Sequence, residues 1–280
     1  MNAGPTVRVY LIAEMASAHD GDLRKARQLI RLSAAAGADA VKAQYWSSAD
    51  RLADRRHVPD DYRALYHRYR MPRAWLDALA ETCAQSRVDF LCSTYLPEDI
   101  AVVAPYVTAM KVASFEAGDR AFLEANRATG KPLIVSVGMM ASRAVTALAE
   151  WLVEGDALLH CVSAYPCPIA AANLRAITSR TQAHPQYRVG YSDHTAHWLT
   201  GALAVAAGAE VLETHVRLWD TDRANPDFAS GISLDYSGNY NYATYVGLVR
   251  HAEEALGDGQ KVDGSHNPAE QAMNLYRVRS

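Results

Sequence analysis

Long apolar runs, a charge excess of either sign and a cysteine framework are all missing from these 280 residues, and each absence removes a class of function. Lysine and arginine total 28 against 31 aspartates and glutamates, a formal charge of −3 spread along the chain. Without a basic stripe or polybasic cluster, nucleic acid and anionic membrane surfaces are not expected partners. Four cysteines, Cys83, Cys92, Cys161 and Cys167, show neither a zinc-ligand spacing nor a CxxC pair. They are expected to be reduced and mostly buried. The N-terminal MNAGPTVRVYLIAEM meets Glu14 too early for a signal peptide. Nowhere do the roughly 18 apolar residues needed to cross a bilayer run together. A cytoplasmic protein acting on small molecules is the expectation.

A glycine-rich phosphate loop is missing too: IAEMASAHDG, after the first apolar run, has no GxGxxG, which argues against a doubly wound nucleotide-binding sheet. What is present is alternation. Short apolar runs at 7–15, 40–46, 88–95, 109–114, 132–138, 157–163, 189–195 and 211–218 read as strands. Between them lie helical patterns such as DLRKARQLIRLSAAAGA, PRAWLDALAETCAQS, DRAFLEANRATG, ASRAVTALAEWLVEG and AHWLTGALAVAAGA, and NYATYVGLVRHAEEALG follows the last run. Continuous apolar strands alternating with amphipathic helices predict a parallel sheet covered by helices. Eight units fit one α/β domain over 1–280, a (β/α)8 TIM barrel, with 265–280 as a tail. The connection at 47–71 contains DYRALYHRYR and is expected to add a helix.

In such a barrel the chemistry sits at the C-terminal strand ends. Those ends carry Glu14; Lys42 and Gln44; Lys111, Ser114 and Glu116; Ser136; Ser163 and Tyr165; Ser192, Asp193 and His194; and Glu213 and His215. Two lysines with several serines suit an anionic substrate, because ammonium charge and hydroxyl donors both address phosphate or carboxylate oxygens. The ordinary alternative is that each lysine pairs with a neighbouring carboxylate inside the barrel. His194 and His215 end adjacent strands and could converge on a divalent cation, with Glu14 or Asp227 as a further ligand. Otherwise each makes a core hydrogen bond. His19 and His160 are lesser candidates, and His197 is expected to begin a helix. Asp193 and Glu213 are expected to point away from the lumen and orient the histidines. Tyr45, Trp46, Tyr95 and Trp219 are expected to pack at the rim rather than stack on a ligand.

Taken in order, IAEMASAHDGD, GADAVKAQ, MKVAS, KPLIVSVGM, LLHCVSAYPCP followed by NLRAI, and VGYSDHT followed by GAEVLETH resemble the sialic acid synthase family along nearly the whole chain. That family condenses phosphoenolpyruvate with an amino sugar to give a 2-keto-3-deoxy acid, on the same barrel. The resemblance implies that His194 and His215 hold the metal, Mn2+ or Mg2+. It implies that Lys42, Lys111, Ser114, Ser136 and Ser192 hold phosphoenolpyruvate, with Ser163 standing where the family often has asparagine. Glu14, Gln44, Tyr165 and Asp227 are implied around the sugar or the attacking water, with Glu116 an acidic residue nearby. Glu14, Lys42, Lys111 and Glu116 are the expected catalytic set.

Departures fall where the family surrounds its acceptor: Ala18, Asp20 and Ala43 replace common residues, and RLWDTDRANPDFASGISLDYSGNYNY keeps only a recognisable NPD. Family members usually continue into an antifreeze-like domain that caps the partner's barrel, whereas this sequence stops at Tyr276-Arg277-Val278-Arg279-Ser280. The expectation is a barrel whose cap is absent by nature, supplied by another protein or cut away, with a larger or different acceptor. A homodimer through barrel helices is expected. The predicted activity is a metal-dependent condensation of phosphoenolpyruvate with a sugar or sugar-like aldehyde. Its rivals are a pyruvate aldolase using Lys111 or Lys42 as a Schiff base, and a sugar-acid-binding protein without turnover.

Overall fold

Each of the eight apolar runs forms a strand in the computed structural model, which describes residues 8–183 and 186–257. They are β1 (Tyr10–Glu14), β2 (Ala40–Tyr45), β3 (Asp89–Thr94), β4 (Met110–Val112), β5 (Leu133–Ser136), β6 (Ala157–Cys161), β7 (Arg188–Asp193) and β8 (Val211–Arg217). Each pairs in parallel with the next, and β1 also pairs with β8, Glu14 opposite His215, which closes the cylinder. The fold is a (β/α)8 TIM barrel, as the alternation predicts. A two-residue strand, β9 (Ile232–Ser233), extends the end of β8 through Val216 and was not anticipated.

The predicted helices are α1 (Leu23–Ala35), α4 (Trp75–Ser86), α6 (Arg120–Arg127), α7 (Ser142–Trp151), α9 (Thr200–Ala206) and α10 (Tyr242–Leu256). The 47–71 connection folds as two helices rather than one, α2 (Ala49–Arg56) and α3 (Asp60–Tyr69). Two short helices, α5 (Pro97–Val103) and α8 (Arg175–Ala183), were not predicted. Local signals set several boundaries. Asp22, Ser48, Asp119 and Asn241 each accept a backbone N–H of the first turn of α1, α2, α6 and α10. His197 precedes α9, where its Nδ1 accepts from the Leu199 N–H.

Strand alternation divides the core in two. Outward residues such as Leu11, Val41, Val112, Val135 and Leu158 pack under the helices, while Ile12, Ala40, Leu91, Ile134, Ala157, Leu159 and Val211 fill the lower lumen. Gly190 belongs to that lower layer. A Cβ there would lie 2.2 Å from the Val211 carbonyl oxygen and 2.6 Å from Leu159 Cδ2, so no side chain fits. The lower lumen is therefore closely packed among the described residues, and the large cavity lies at the C-terminal strand ends. Among the described residues, no helix is long and apolar enough to cross a membrane. The expected tail at 265–280, with the junction at Tyr276–Ser280, lies outside the described residues.

Candidate active site

One period above the apolar floor the lumen becomes charged. Lys42 and Lys111 are 3% and 1% exposed, yet both reach the floor of a cavity of about 870 Å³. Lys111 Nζ donates to Ser136 Oγ at 2.8 Å and to the Val112 carbonyl at 3.2 Å. Lys42 donates to Ser93 Oγ at 3.0 Å and is ion-paired with Glu14. Glu213 stands between the two amines, 3.8 Å from each, and accepts from Ser192 Oγ at 3.2 Å. The ion pairing that formed the ordinary alternative is thus present, and both amines also face the open cavity.

Burial opposes charge on every one of these groups. For Lys111 burial dominates and lowers its pKa. For Lys42 burial also pulls downward, but Glu14 and Glu213 outweigh it and the amine is raised. Burial raises the Glu14 carboxyl against the pull of Lys42, whereas the two lysines overcome the burial of Glu213 and hold it low. Glu14 accepts from the Ala16 N–H at 2.7 Å and from Gln44 Nε2 at 3.3 Å. Its carboxylate lies just behind the cavity wall that Lys42 and Gln44 form.

Above this layer His194 and His215 meet, ring centroids 5.4 Å apart. His194 Nδ1 is 2.7 Å from the Val162 carbonyl and so carries its proton there, leaving Nε2 toward the lumen, 3.3 Å from Ser192 Oγ. Burial, with His215 beside it, holds His194 down to about 4, so the ring is neutral near pH 7. His215 Nδ1 pairs with Asp227 at 3.1 Å, and Asp227 outweighs burial to raise the imidazole. Asp227 is itself held at about 2, because His215 and Ser17 overcome its burial. Ser17 binds it through both backbone N–H and hydroxyl. The Tyr165 ring lies 4.2 Å from His194 and 5.7 Å from His215.

At the mouth, Glu116 accepts twice from Arg56 of α2, at 3.0 and 2.7 Å. The guanidinium lies between the rings of Tyr95 and Phe115, 4.6 and 4.7 Å from their centroids, and donates to Tyr66. Trp46 and Tyr95 pack together at the rim and also line the cavity. Glu116 Oε2 is buried without a hydrogen-bond partner. Of the predicted residues, Lys42, Gln44, Lys111, Ser114, Glu116, Ser136, Tyr165, Ser192, His194, His215 and Asp227 all line one cavity. Ser163 stands behind Ser114, hydroxyl to hydroxyl at 2.8 Å, as Glu14 stands behind Lys42.

A sequence profile described as the NeuB family matches residues 29–261. The chain belongs to the NeuB family. It is 34% identical over 269 residues to the pseudaminic acid synthase of Campylobacter jejuni subsp. jejuni serotype O:23/36 (strain 81-176), spanning 90% of this chain and 76% of that one. With the N-acetylneuraminate-9-phosphate synthase of Homo sapiens it shares 28% over 272 residues, 90% of this chain and 72% of the other. The structure of N-acetylneuraminic acid (sialic acid) synthetase from Leptospira borgpetersenii serovar Hardjo-bovis, in complex with citrate, matches with a TM-score of 0.84 at 25% identity. That match covers 99% of this chain and 94% of the other.

Within this NeuB-family barrel one sequence expectation is overturned. Glu213 does not point away from the lumen: it is two residues from His215, so the strand period puts both on the inner face. Asp193, one residue from His194, does face outward, accepting from Thr195, Thr200 and the Tyr245 hydroxyl. Glu213 is therefore a site residue that sequence reasoning missed, although the spacing contained the signal. Arg56 was missed as well, and no spacing announces it. The lesser histidines lie elsewhere: His160 bonds the Ala172 carbonyl at 2.9 Å, and His19 accepts from the Gly21 N–H at 3.0 Å.

Proposed function

We propose that this chain condenses phosphoenolpyruvate with the open-chain aldehyde of a sugar, giving a 2-keto-3-deoxy sugar acid and phosphate. One observation carries the reading: two lysine amines and two imidazoles from adjacent strands open into the same cavity, above a closely packed apolar floor. Its volume of about 870 Å³ accommodates two small substrates together. The C. jejuni relative is a synthase of pseudaminic acid, which supports a sugar-acid product.

Lys42 and Lys111 hold the phosphate and carboxylate of phosphoenolpyruvate, with hydroxyls of Ser114, Ser136 and Ser192 adding directed donors and Ser163 bracing Ser114. An anion arriving at Lys42 competes with Glu14 for the amine. Carbon 3 of phosphoenolpyruvate attacks the aldehyde carbon, and the carbonyl electron pair moves to the aldehyde oxygen, which takes up a proton to become a hydroxyl. Positive character develops at carbon 2, and water adds there. Glu14, the raised carboxyl beside Lys42, takes the proton of that water. The carbon–oxygen bond to phosphate then breaks as the carbon 2 hydroxyl becomes the ketone and gives its proton to the departing phosphate, whose charge the lysines stabilise. Gln44, Tyr165, Asp227 and the Glu116–Arg56 pair border the space left for the sugar.

The histidine pair fits a divalent cation, manganese or magnesium. Each ring has Nδ1 engaged, by a carbonyl in His194 and a carboxylate in His215, which is the support that metal-ligating imidazoles use to present Nε2. Among the described residues no set of three or more His, Cys, Asp or Glu converges on a cation, so substrate and water oxygens would complete the ligand set. Bound there, the ion would supply Lewis-acid polarisation of the aldehyde oxygen.

Phosphate release from phosphoenolpyruvate, measured across a panel of amino and neutral aldoses with Mn2+, tests the proposal. Acceptor-dependent release that is abolished by chelator and restored by Mn2+ is the expected result. Background release across the whole panel would overturn it. One observation favours a second reading: burial lowers Lys111, as a Schiff-base lysine requires. Borohydride reduction with pyruvate decides it, since a covalent adduct on Lys111 identifies an aldolase.

A further inference from the structure

A second cleft, of about 360 Å³, lies on the far side of the turn that carries Asp227. Asp227 lines the large cavity, and its neighbour Phe228 lines this one. Apart from Ala196 and Arg217, its walls come from the segment after β8, a part of the sequence that departs from the family resemblance. Trp219 and Tyr236 stack at 5.0 Å with planes 16° apart, and Tyr240 stacks on Trp198 at 5.6 Å. These are surface rings: Trp219 is 57% exposed and Tyr240 63%. Stacking covers one face of each ring, and the exposed remainder of Trp219, Tyr236 and Tyr240 borders the cleft.

Arg217 supplies the opposite chemistry. It lies on β8, two residues beyond His215, with its guanidinium 4.2 Å from the centroid of the Phe228 ring. Its Nη1 donates to the Leu218 carbonyl at 3.2 Å. Nε is buried with no acceptor, and the guanidinium makes no ion-pair contact among the described residues, although it feels the charge of Asp235, which accepts from the Trp219 N–H. The Nε–Nη2 edge of a guanidinium is the side that grips a carboxylate with two parallel bonds. Nε has no exposed surface, so the donor of that edge that a carboxylate can reach is Nη2, which makes no hydrogen bond among the described residues.

We propose that this cleft binds a pyranose carrying a carboxylate, its C–H face on the Trp219–Tyr236 platform and its carboxylate on Arg217. The chemical class is that of the product in the reaction proposed above, and the choice of sugar acid as ligand rests on that reading. The cleft adjoins the mouth and would hold such a molecule outside the chemical cavity, so a released sugar acid stays bound to the enzyme while phosphoenolpyruvate refills the lumen.

N-acetylneuraminic acid is the probe, titrated by calorimetry and tryptophan fluorescence with phosphoenolpyruvate at saturation. Saturable binding is expected to survive that competition, and to weaken at least tenfold in Arg217→Gln, in Trp219→Ala and with the methyl ester of the probe. Trp219 is more than half exposed, so its variant retains the fold even where Arg217→Gln does not, which thermal melting verifies. Displacement by phosphoenolpyruvate, affinity unchanged in both variants, or no saturable binding overturns the assignment. Binding of uridine monophosphate in place of the sugar acid overturns it too, assigning the platform to a nucleobase. Phosphate release measured on the same samples reports separately on the condensation, so the two readings can fail independently.

Discussion

The lower and upper halves of the barrel interior are built from the same strands two residues apart, and they have opposite chemistry. Ile12 is followed on the inner face by Glu14, Ala40 by Lys42, Leu91 by Ser93, Ile134 by Ser136, Gly190 by Ser192, and Val211 by Glu213. Below, the layer is apolar and packed so closely that Gly190 cannot carry a methyl group. Above, two lysines, two glutamates and two histidines, each no more than 5% exposed, crowd the bottom of the open cavity. Charges crowded this closely need a rigid support, and the apolar layer beneath them is that support. The difference locates stability in one half and chemistry in the other, a division that substitution can break.

The largest effect is expected in the upper half. Lys111→Met removes one of the two cations at the cavity floor, and phosphate release should fall about 1000-fold, the scale of losing a preorganised charge donor. The melting temperature should move little, because Glu213 keeps its contact with Lys42. A comparable loss of folding stability would show that Lys111 is structural glue. Next comes the floor: Leu159→Ala leaves a hole beside Gly190, and roughly 2–5 kcal/mol of stability should be lost in denaturant unfolding. Turnover by the folded fraction should stay within about twofold, since the packed strand above relaxes only partly. A large fall in turnover without loss of stability would erase the division.

Much of this division was legible in the sequence, because strand alternation is a period-two signal that survives without tertiary information. The eight barrel strands were legible as short apolar runs between helical patterns, and the rule that barrel chemistry sits at the C-terminal strand ends gathered Lys42, Lys111, His194 and His215 there. Glu213 was misplaced for a specific reason. It was paired with Asp193 as a residue preceding a histidine, although it stands two positions from its histidine and Asp193 only one. The helices α5 and α8 were invisible because each is short and weakly patterned, α8 burying only Ile177. Arg56 was illegible in principle: its position at the mouth depends on how α2 and α3 fold back over the cavity, which no local pattern encodes.

Arg56 marks the boundary of the comparison, at the rim where the charged layer meets solvent. Arg56→Gln frees Glu116 from the bonds that aim it at the cavity, and the Michaelis constant for the sugar should rise about tenfold, roughly the 1.4 kcal/mol of one charge-assisted hydrogen bond. The constant for phosphoenolpyruvate should be unchanged, because Lys42 and Lys111 lie deeper in the lumen. Arg56→Lys should rescue only part of the effect, since an ammonium cannot occupy the slot between Tyr95 and Phe115 as a planar guanidinium does. Equal shifts in both constants would make Arg56 a determinant of the whole pocket rather than of the acceptor side.

The smallest effect belongs to an ion pair with good geometry in the wrong place. Arg120 and Glu124 meet at 2.7 Å on α6, one turn apart, with side chains 54% and 58% exposed. Their separation is no worse than that of Arg56 and Glu116, whose glutamate side chain is 2% exposed. Arg120→Ala should nevertheless change stability by less than about 0.5 kcal/mol and leave turnover alone, because water screens the pair and competes for its hydrogen bonds. The guanidinium also lies 4.4 Å from the Trp151 ring centroid, so a loss larger than this would be assigned to that stacking by the Trp151→Leu variant. If the surface pair proved as costly to break as the one at the mouth, burial would not be what gives the upper layer its strength, and the contrast between the two halves of the lumen would need another cause.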